Sequence, residues 1–117
     1  MNTPKAPREG EEIQISVVVP LYNEEESLPE LEAWIRRVME ENDFTYEIIF
    51  VNDGSTDRSW EVVERLAREN PRVHGVSFRR NYGKSPALNT GFARTRGKVV
   101  ITKFSTYGDF SWGFRLI

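Results

Sequence analysis

The sequence predicts an α/β domain of three layers built around a mostly parallel sheet. Two observations carry this. Short runs rich in β-branched residues (ISVVV from Ile15, YEIIFV from Tyr46, VHGVSF from Val73, VVIT from Val99) alternate with longer segments of helical periodicity. The first three runs each lead into a polar, turn-rich loop: LYNEEES, NDGSTD and RRNYGKS. Parallel strands joined by helices require right-handed crossovers, and in such sheets ligands bind beyond the carboxyl ends of the strands. Function is therefore to be sought in these loops and in the segment after VVIT.

The elements follow in order. Ile15–Val19 is a run of the kind buried on both faces of a sheet, and Pro20 is expected to end it. Ser27, with Glu30 three residues on, matches a capping box, and Pro29 suits a first helical turn. Leu31, Trp34, Ile35 and Val38 then fall on one helical stripe, which runs to about Glu41. The second strand is Tyr46–Val51. Thr56 or Asp57 can cap the next helix, whose stripe is Trp60, Val63, Leu66 and Ala67 and which ends near Asn70–Pro71. Val73–Phe78 is a weaker third strand. Ser85 and Pro86 form an N-cap and N1 pair for a third helix through Ala87, Leu88 and Phe92. Gly97 punctuates it, and Val99–Thr102 is the fourth strand.

The totals bound the function classes. A chain of 117 residues is one domain at most. A net charge of -2 lacks the basic excess of a nucleic-acid binder. There is no cysteine, which excludes disulfides, thiolate metal sites and thiol chemistry and is compatible with a cytoplasmic location. Residues 1–12 (MNTPKAPREGEE) read as a disordered lead-in, and no apolar run approaches the ~20 residues that span a bilayer. Any meeting with a membrane is then peripheral, at its cytoplasmic face, or through a part outside this chain.

Several familiar motifs are absent. No glycine follows the first strand, as a dinucleotide fold requires. Gly83-Lys84-Ser85 looks like the tail of a phosphate-binding loop, but Phe78 stands where its first glycine belongs. His74 is the single histidine, so no histidine-based metal cluster exists; inside a strand, it reads as a packed residue.

The loops offer other chemistry. Leu21–Glu26 has Asn23 and three acids, of which Glu25 and Glu26 read as a solvated helix N-terminus and Glu24 less so. Asp53 stands at the end of the second strand, where a carboxylate can accept a hydrogen bond from a nucleobase N–H or a ribose hydroxyl, and Gly54 allows the tight turn. An Asx-turn that merely holds the loop accounts for Asn52 and Asp57. Arg79, Arg80 and Lys84 make the third loop basic, suited to phosphates or else an ordinary exposed charge run.

Taken together and in order, VVVPLYNEEESL, EIIFVNDGSTDRSWEVV and FRRNYGKSPALNTGFARTRGKVVIT resemble the family 2 glycosyltransferases of GT-A fold. The branch most similar includes dolichyl-phosphate mannose synthases and bacterial undecaprenyl-phosphate sugar transferases. The likeness covers about Ile13–Thr102. It implies the Rossmann-like, nucleotide-binding half of that fold over residues 13–102 and a UDP- or GDP-sugar as donor. It also implies an inverting transfer to an acceptor such as a polyprenyl phosphate. Carried onto this chain, the resemblance implies that Pro20, Leu21, Tyr22 and Glu24 line the nucleotide pocket, with Glu24 near the ribose. Asp53 would contact the base, and Lys84 and Arg80 would lie near the phosphates. No catalytic residue is assigned.

The resemblance also implies Mg²⁺ or Mn²⁺, held by a D-x-D motif after the fourth strand. This chain reads Phe104-Ser105-Thr106-Tyr107-Gly108 there, and its next carboxylate, Asp109, is alone and out of register. Residues 103–117 thus form an atypical tail: either unrelated sequence from a frameshift or truncation, or a true variant that binds nucleotides without turning over. Phe110, Trp112 and Phe114 alternate, as in a short strand laid against the open sheet, or else form an exposed apolar patch. The expectation is a glycosyltransferase weakly active or inactive as this chain, the alternative a non-catalytic nucleotide-binding module or a degenerate fragment.

Overall fold

A computed structural model describes residues 5–106 and 109–116, with side chains for residues 5–102. Its elements are β1 (Ile15–Leu21), α1 (Leu28–Glu41), β2 (Tyr46–Asn52), α2 (Ser59–Glu69), β3 (Val73–Ser77), α3 (Lys84–Ala93), β4 (Val99–Thr106) and β5 (Asp109–Leu116). They form one sheet in the order β3-β2-β1-β4-β5. The first four strands are parallel, and β5 pairs antiparallel with β4 at the edge. The α/β, mostly parallel architecture is the one the sequence predicts.

Both faces of the central strands are covered, which is why β1 and β2 carry consecutive apolar residues, broken in β1 by Ser16 and in β2 by Glu47. Val17, Val19, Leu21, Ile48 and Phe50 pack with Leu31, Ile35, Val63 and Leu66 of α1 and α2. On the other face, Ile49 and Val51 pack with Ala87 of α3. Gly91 lets α3 lie close: a Cβ there would stand 2.4 Å from a methyl of Val18. The chain runs outward from β1 to β2 to β3 and then returns to place β4 on the other side of β1. The order therefore reverses between β1 and β4, and the crevice at that switch point is where sheets of this kind hold ligands.

Several local expectations are corrected. Pro20 does not end β1, which continues through Leu21. The proline lacks an N–H, and β1–β4 pairing skips from Val18↔Thr102 to Leu21↔Ser105, while β1–β2 pairing is unbroken. The capping box does not form, because the Ser27 hydroxyl donates to the Glu24 carboxylate at 2.8 Å. The buried stripe of α1 is Leu28, Leu31, Glu32, Ile35 and Met39, which leaves Trp34 exposed. Gly83, at φ 102°, stands at the N-cap of α3, so Ser85 and Pro86 lie inside its first turn. His74 is not packed inside the sheet. It lies on the exposed edge strand β3, with Nε2 3.8 Å from the buried Glu47 carboxylate.

The fourth strand runs four residues beyond Thr102, and the alternating Phe110, Trp112 and Phe114 fall within β5. The side chains of these three aromatics lie outside the described residues, as do Met1–Pro4 of the lead-in. At the amino edge of the sheet, Arg72 donates to the Tyr46 carbonyl (3.0 Å) and pairs with Glu11 (3.3 Å), fastening the segment before β1. Burial pushes the Tyr46 hydroxyl above its ordinary pKa, and Asn70 donates to it at 3.3 Å.

Candidate functional site

Three loops converge at the carboxyl ends of β1, β2 and β3: residues 22–27, 53–58 and 78–83. The first two are clasped by Asn23. Its backbone adopts a positive φ of 52°, a conformation asparagine tolerates better than most residues. Its Oδ1 accepts the N–H of Thr56 (2.8 Å) and of Asp57 (3.2 Å), and its own N–H donates to Ser55 Oγ at 2.9 Å. Beside it the Glu24 N–H donates to Ser59 Oγ at 2.8 Å, and the Glu25 N–H to Asp57 Oδ2 at 3.4 Å.

Asp57 anchors this clasp and accepts the Ser59 N–H at 2.9 Å, but the N-cap of α2 is Arg58 with no side-chain capping bond, so the expected cap by Thr56 or Asp57 does not form. Thr56, the other capping candidate, instead faces Asn23. Burial pushes the Asp57 carboxyl up, but bonds from the Ser59 hydroxyl and from the Ser59 and Glu25 N–H groups outweigh it and hold it below its ordinary 3.8. A depressed folded pKa contributes stability that is present above the unfolded value and lost as pH falls through the folded one. The stability gap between the native chain and Asp57→Ala is therefore expected to be widest at neutral pH. It should close below about pH 4, as measured by urea unfolding across pH 2–7.

The third loop is fastened by Asp53, which is buried. Its Oδ1 accepts the Tyr82 N–H at 2.8 Å and its Oδ2 the Gly83 N–H at 3.0 Å. Its own N–H donates to the Leu21 carbonyl at 2.9 Å, so β1, β2 and the third loop meet at this residue. Gly54, at φ 72°, supplies the left-handed turn anticipated for it, and the backbone of Arg80 and Asn81 lies against its Cα. The Arg80 guanidinium stacks over the Tyr82 ring at 4.9 Å, and Phe78 meets that ring edge-on at 5.6 Å. The basic stretch Arg79–Lys84 is thus held as a shaped rim with its cationic side chains exposed.

Of the sequence-derived site residues, Pro20 and Leu21 are buried at the end of β1, and Tyr22 and Glu24 are half-buried beyond it. Asp53 is buried at the end of β2, and Arg80 and Lys84 are exposed at the rim. They lie at the end of β1, in the adjoining loops and at the start of α3, all at the carboxyl edge of the sheet. The clasp of Asn23, Ser55 and Ser59 had no assigned role in the sequence reading. Its one sequence signal is an asparagine in a tight loop, which names no partner.

The described side chains offer no ready site for a divalent cation. Among the described residues no three histidine, cysteine or acidic side chains group to hold one. Both Asp53 oxygens are engaged by backbone N–H groups, and Glu24 accepts the Ser27 hydroxyl. The segment where D-x-D was sought contributes no carboxylate. It runs as β4 to Thr106, and Tyr107 and Gly108 lie outside the described residues. Nor is any helix among the described residues long and apolar enough to cross a membrane.

Comparison with known proteins accords with this geometry. A bactoprenol glucosyl transferase of Shigella phage SfX is 43% identical over 89 residues, which are 76% of this chain and 29% of the relative. An undecaprenyl-phosphate 4-deoxy-4-formamido-L-arabinose transferase of Pseudomonas fluorescens is 45% identical over 89 residues, 75% of this chain and 26% of the relative. A mannosyltransferase of Pyrobaculum calidifontis, solved in complex with GDP-Man and Mn²⁺, superposes with a TM-score of 0.63 at 29% identity. That match covers 85% of this chain and 29% of the other. This chain therefore spans less than a third of the length of these relatives. The profile of glycosyl transferase family 2 matches residues 16–102, and the chain belongs to that family.

Proposed function

We propose that residues 13–102 form the donor-binding half of a glycosyltransferase, which holds a UDP- or GDP-sugar across the carboxyl ends of β1 and β2. The observation that carries this reading is the joining of three loops at the carboxyl ends of β1, β2 and β3, one contributing the basic stretch Arg79–Lys84. Pro20, Leu21 and Tyr22 form the floor and near wall of the nucleotide pocket, and Glu24 lies near the ribose. Asp53 stands at the base end: a carboxylate has about four lone-pair positions, and two remain after its backbone bonds. Arg80 and Lys84 lie toward the phosphates. The nucleoside diphosphate is the charged leaving group, and fixed cations stabilise it as the bond from the anomeric carbon to the phosphate oxygen breaks.

The acceptor that suits this chemistry is a polyprenyl phosphate at a membrane surface, the substrate class named for both curated relatives. One of its oxygens displaces the nucleoside diphosphate at the anomeric carbon, with inversion. That oxygen is already anionic, so little general-base assistance is required. Among the described residues no group of acids stands ready for a cation such as the Mn²⁺ of the Pyrobaculum complex, so the rim cations are the groups left to meet the diphosphate. Turnover by this chain alone is accordingly expected to be weak or absent.

Calorimetric titration of the purified chain with UDP and GDP tests the reading. Saturable binding is expected, and Lys84→Ala is expected to weaken it about tenfold, in line with loss of one charge-assisted contact. That loss should shrink as ionic strength rises. Absence of binding by either nucleotide would sink the reading. A parallel assay with labelled nucleotide-sugar and undecaprenyl phosphate in vesicles should yield little product; rapid transfer would contradict the account of the metal site.

A further inference from the structure

Asp53 is buried, yet the groups it meets are the backbone amides of Tyr82 and Gly83, inside the basic loop. Those amides precede the first turn of α3, with Gly83 at its N-cap and Lys84 as its first residue. Neighbouring contacts serve the same junction. Phe78 N–H donates to the Asn52 carbonyl at 2.9 Å, Asn52 Nδ2 to Ser77 Oγ at 2.9 Å, and the Gly54 backbone lies against that of Arg80. The loop thus enters and leaves through contacts with residues 52–54 of the second strand and its turn.

We infer that Asp53 is a positioning residue for the phosphate end of the site, over and above any contact with the base. The inference rests on the donor-site reading and adds a role that reading does not contain. A flexible loop carrying three cations would lose conformational freedom on gripping a diphosphate, and that loss would subtract from affinity. Two charge-assisted bonds from one buried carboxylate fix two consecutive amides, and so fix where Arg80 and Lys84 are presented. Asp53 therefore governs affinity for the diphosphate whatever base it bears. A carboxylate that only read the base would govern one base and leave the others alone.

The test compares the native chain with Asp53→Asn for binding of UDP, GDP and ADP. Asparagine keeps one acceptor and turns a donor toward the second amide. The positioning role predicts a loss of about tenfold or more, by a similar factor for all three nucleotides. A loss confined to one nucleotide overturns it. Amide NMR spectra of the two proteins supply a readout independent of ligand. The inference expects Tyr82, Gly83 and their loop neighbours to shift while the amides of α1 and α2 stay in place. An unmoved loop overturns it. Should Asp53→Asn not fold, amide hydrogen exchange of the native chain decides: the Tyr82 and Gly83 amides must be protected relative to unbonded loop amides, and free exchange refutes the role. Should the native chain bind no nucleotide, the donor-site reading fails, and the amide data alone judge the positioning.

Discussion

Gly54→Ala is expected to destabilise the chain by about 2–5 kcal/mol and to abolish measurable nucleotide binding. Two costs combine. Alanine at the native φ of 72° occupies the left-handed region, which costs about 1–2 kcal/mol. Its Cβ would also stand 2.1 Å from the Arg80 carbonyl carbon and 2.3 Å from the Asn81 nitrogen. Both are backbone atoms, so no rotamer change relieves the overlap and the basic loop itself must move. Overpacking of this kind typically costs a further 1–3 kcal/mol or so. Urea unfolding measures the first effect and calorimetry the second. A loss of stability below about 1 kcal/mol with binding intact would show that the second and third loops are not in fact locked together.

Glu47→Ala is expected to cost about 2–5 kcal/mol with no change in nucleotide affinity, provided the variant is assayed where it remains folded. Glu47 is buried at the amino edge of β2 and joins three segments there. Its Oε2 accepts the Ser16 hydroxyl and the Arg96 N–H, each at 2.6 Å, and Ser16 Oγ in turn accepts the Gly97 N–H at 2.8 Å. Removing the carboxylate leaves the buried Ser16 hydroxyl and the part-buried Arg96 N–H without their acceptor, at about 1–3 kcal/mol each. Glu47→Gln retains one acceptor oxygen and should lose about half as much. Because the nucleotide loops lie at the opposite end of β2, some five residues or about 17 Å along the strand, a large affinity change in Glu47→Ala would argue against placing the site at the carboxyl edge.

These two positions show what was legible in the sequence and what was not. Gly54 announced itself: a glycine after an aspartate at a strand end marks a turn needing positive φ. The strands were legible because VVV and IIFV are consecutive apolar residues, which suits a strand covered on both faces. Glu47 interrupts such a run, yet its sequence neighbours name none of its partners, since Ser16 and Arg96 come to it only when three segments assemble. The clasp of Asn23 escaped for the same reason. Asp53 was picked out as a site residue, but its partners are backbone amides, whose identity no side-chain pattern encodes. The cap of α1 was misjudged because Ser27 had two acceptable partners. The Glu24 carboxylate, three residues before it, competes with the helix amide that a capping box would use.

The segment after Thr102 bears on chemistry more than on fold. Its backbone completes β4 and adds β5, so the sheet does not require the acidic motif that was sought there. With no carboxylate between Lys103 and Gly108, the charge of a diphosphate bound as proposed would fall to Arg80 and Lys84 and to the residues that hold them in place.

The most direct test of the central claim is amide NMR of the ¹⁵N-labelled chain titrated with UDP and with GDP, without added metal. Saturable shifts are expected in three stretches, residues 21–25, 52–57 and 79–85, while the amides of α1 beyond its first turn and the amino edge of the sheet stay still. Shifts gathered at the Glu47–Arg96 edge, or no shifts at millimolar nucleotide, would contradict it.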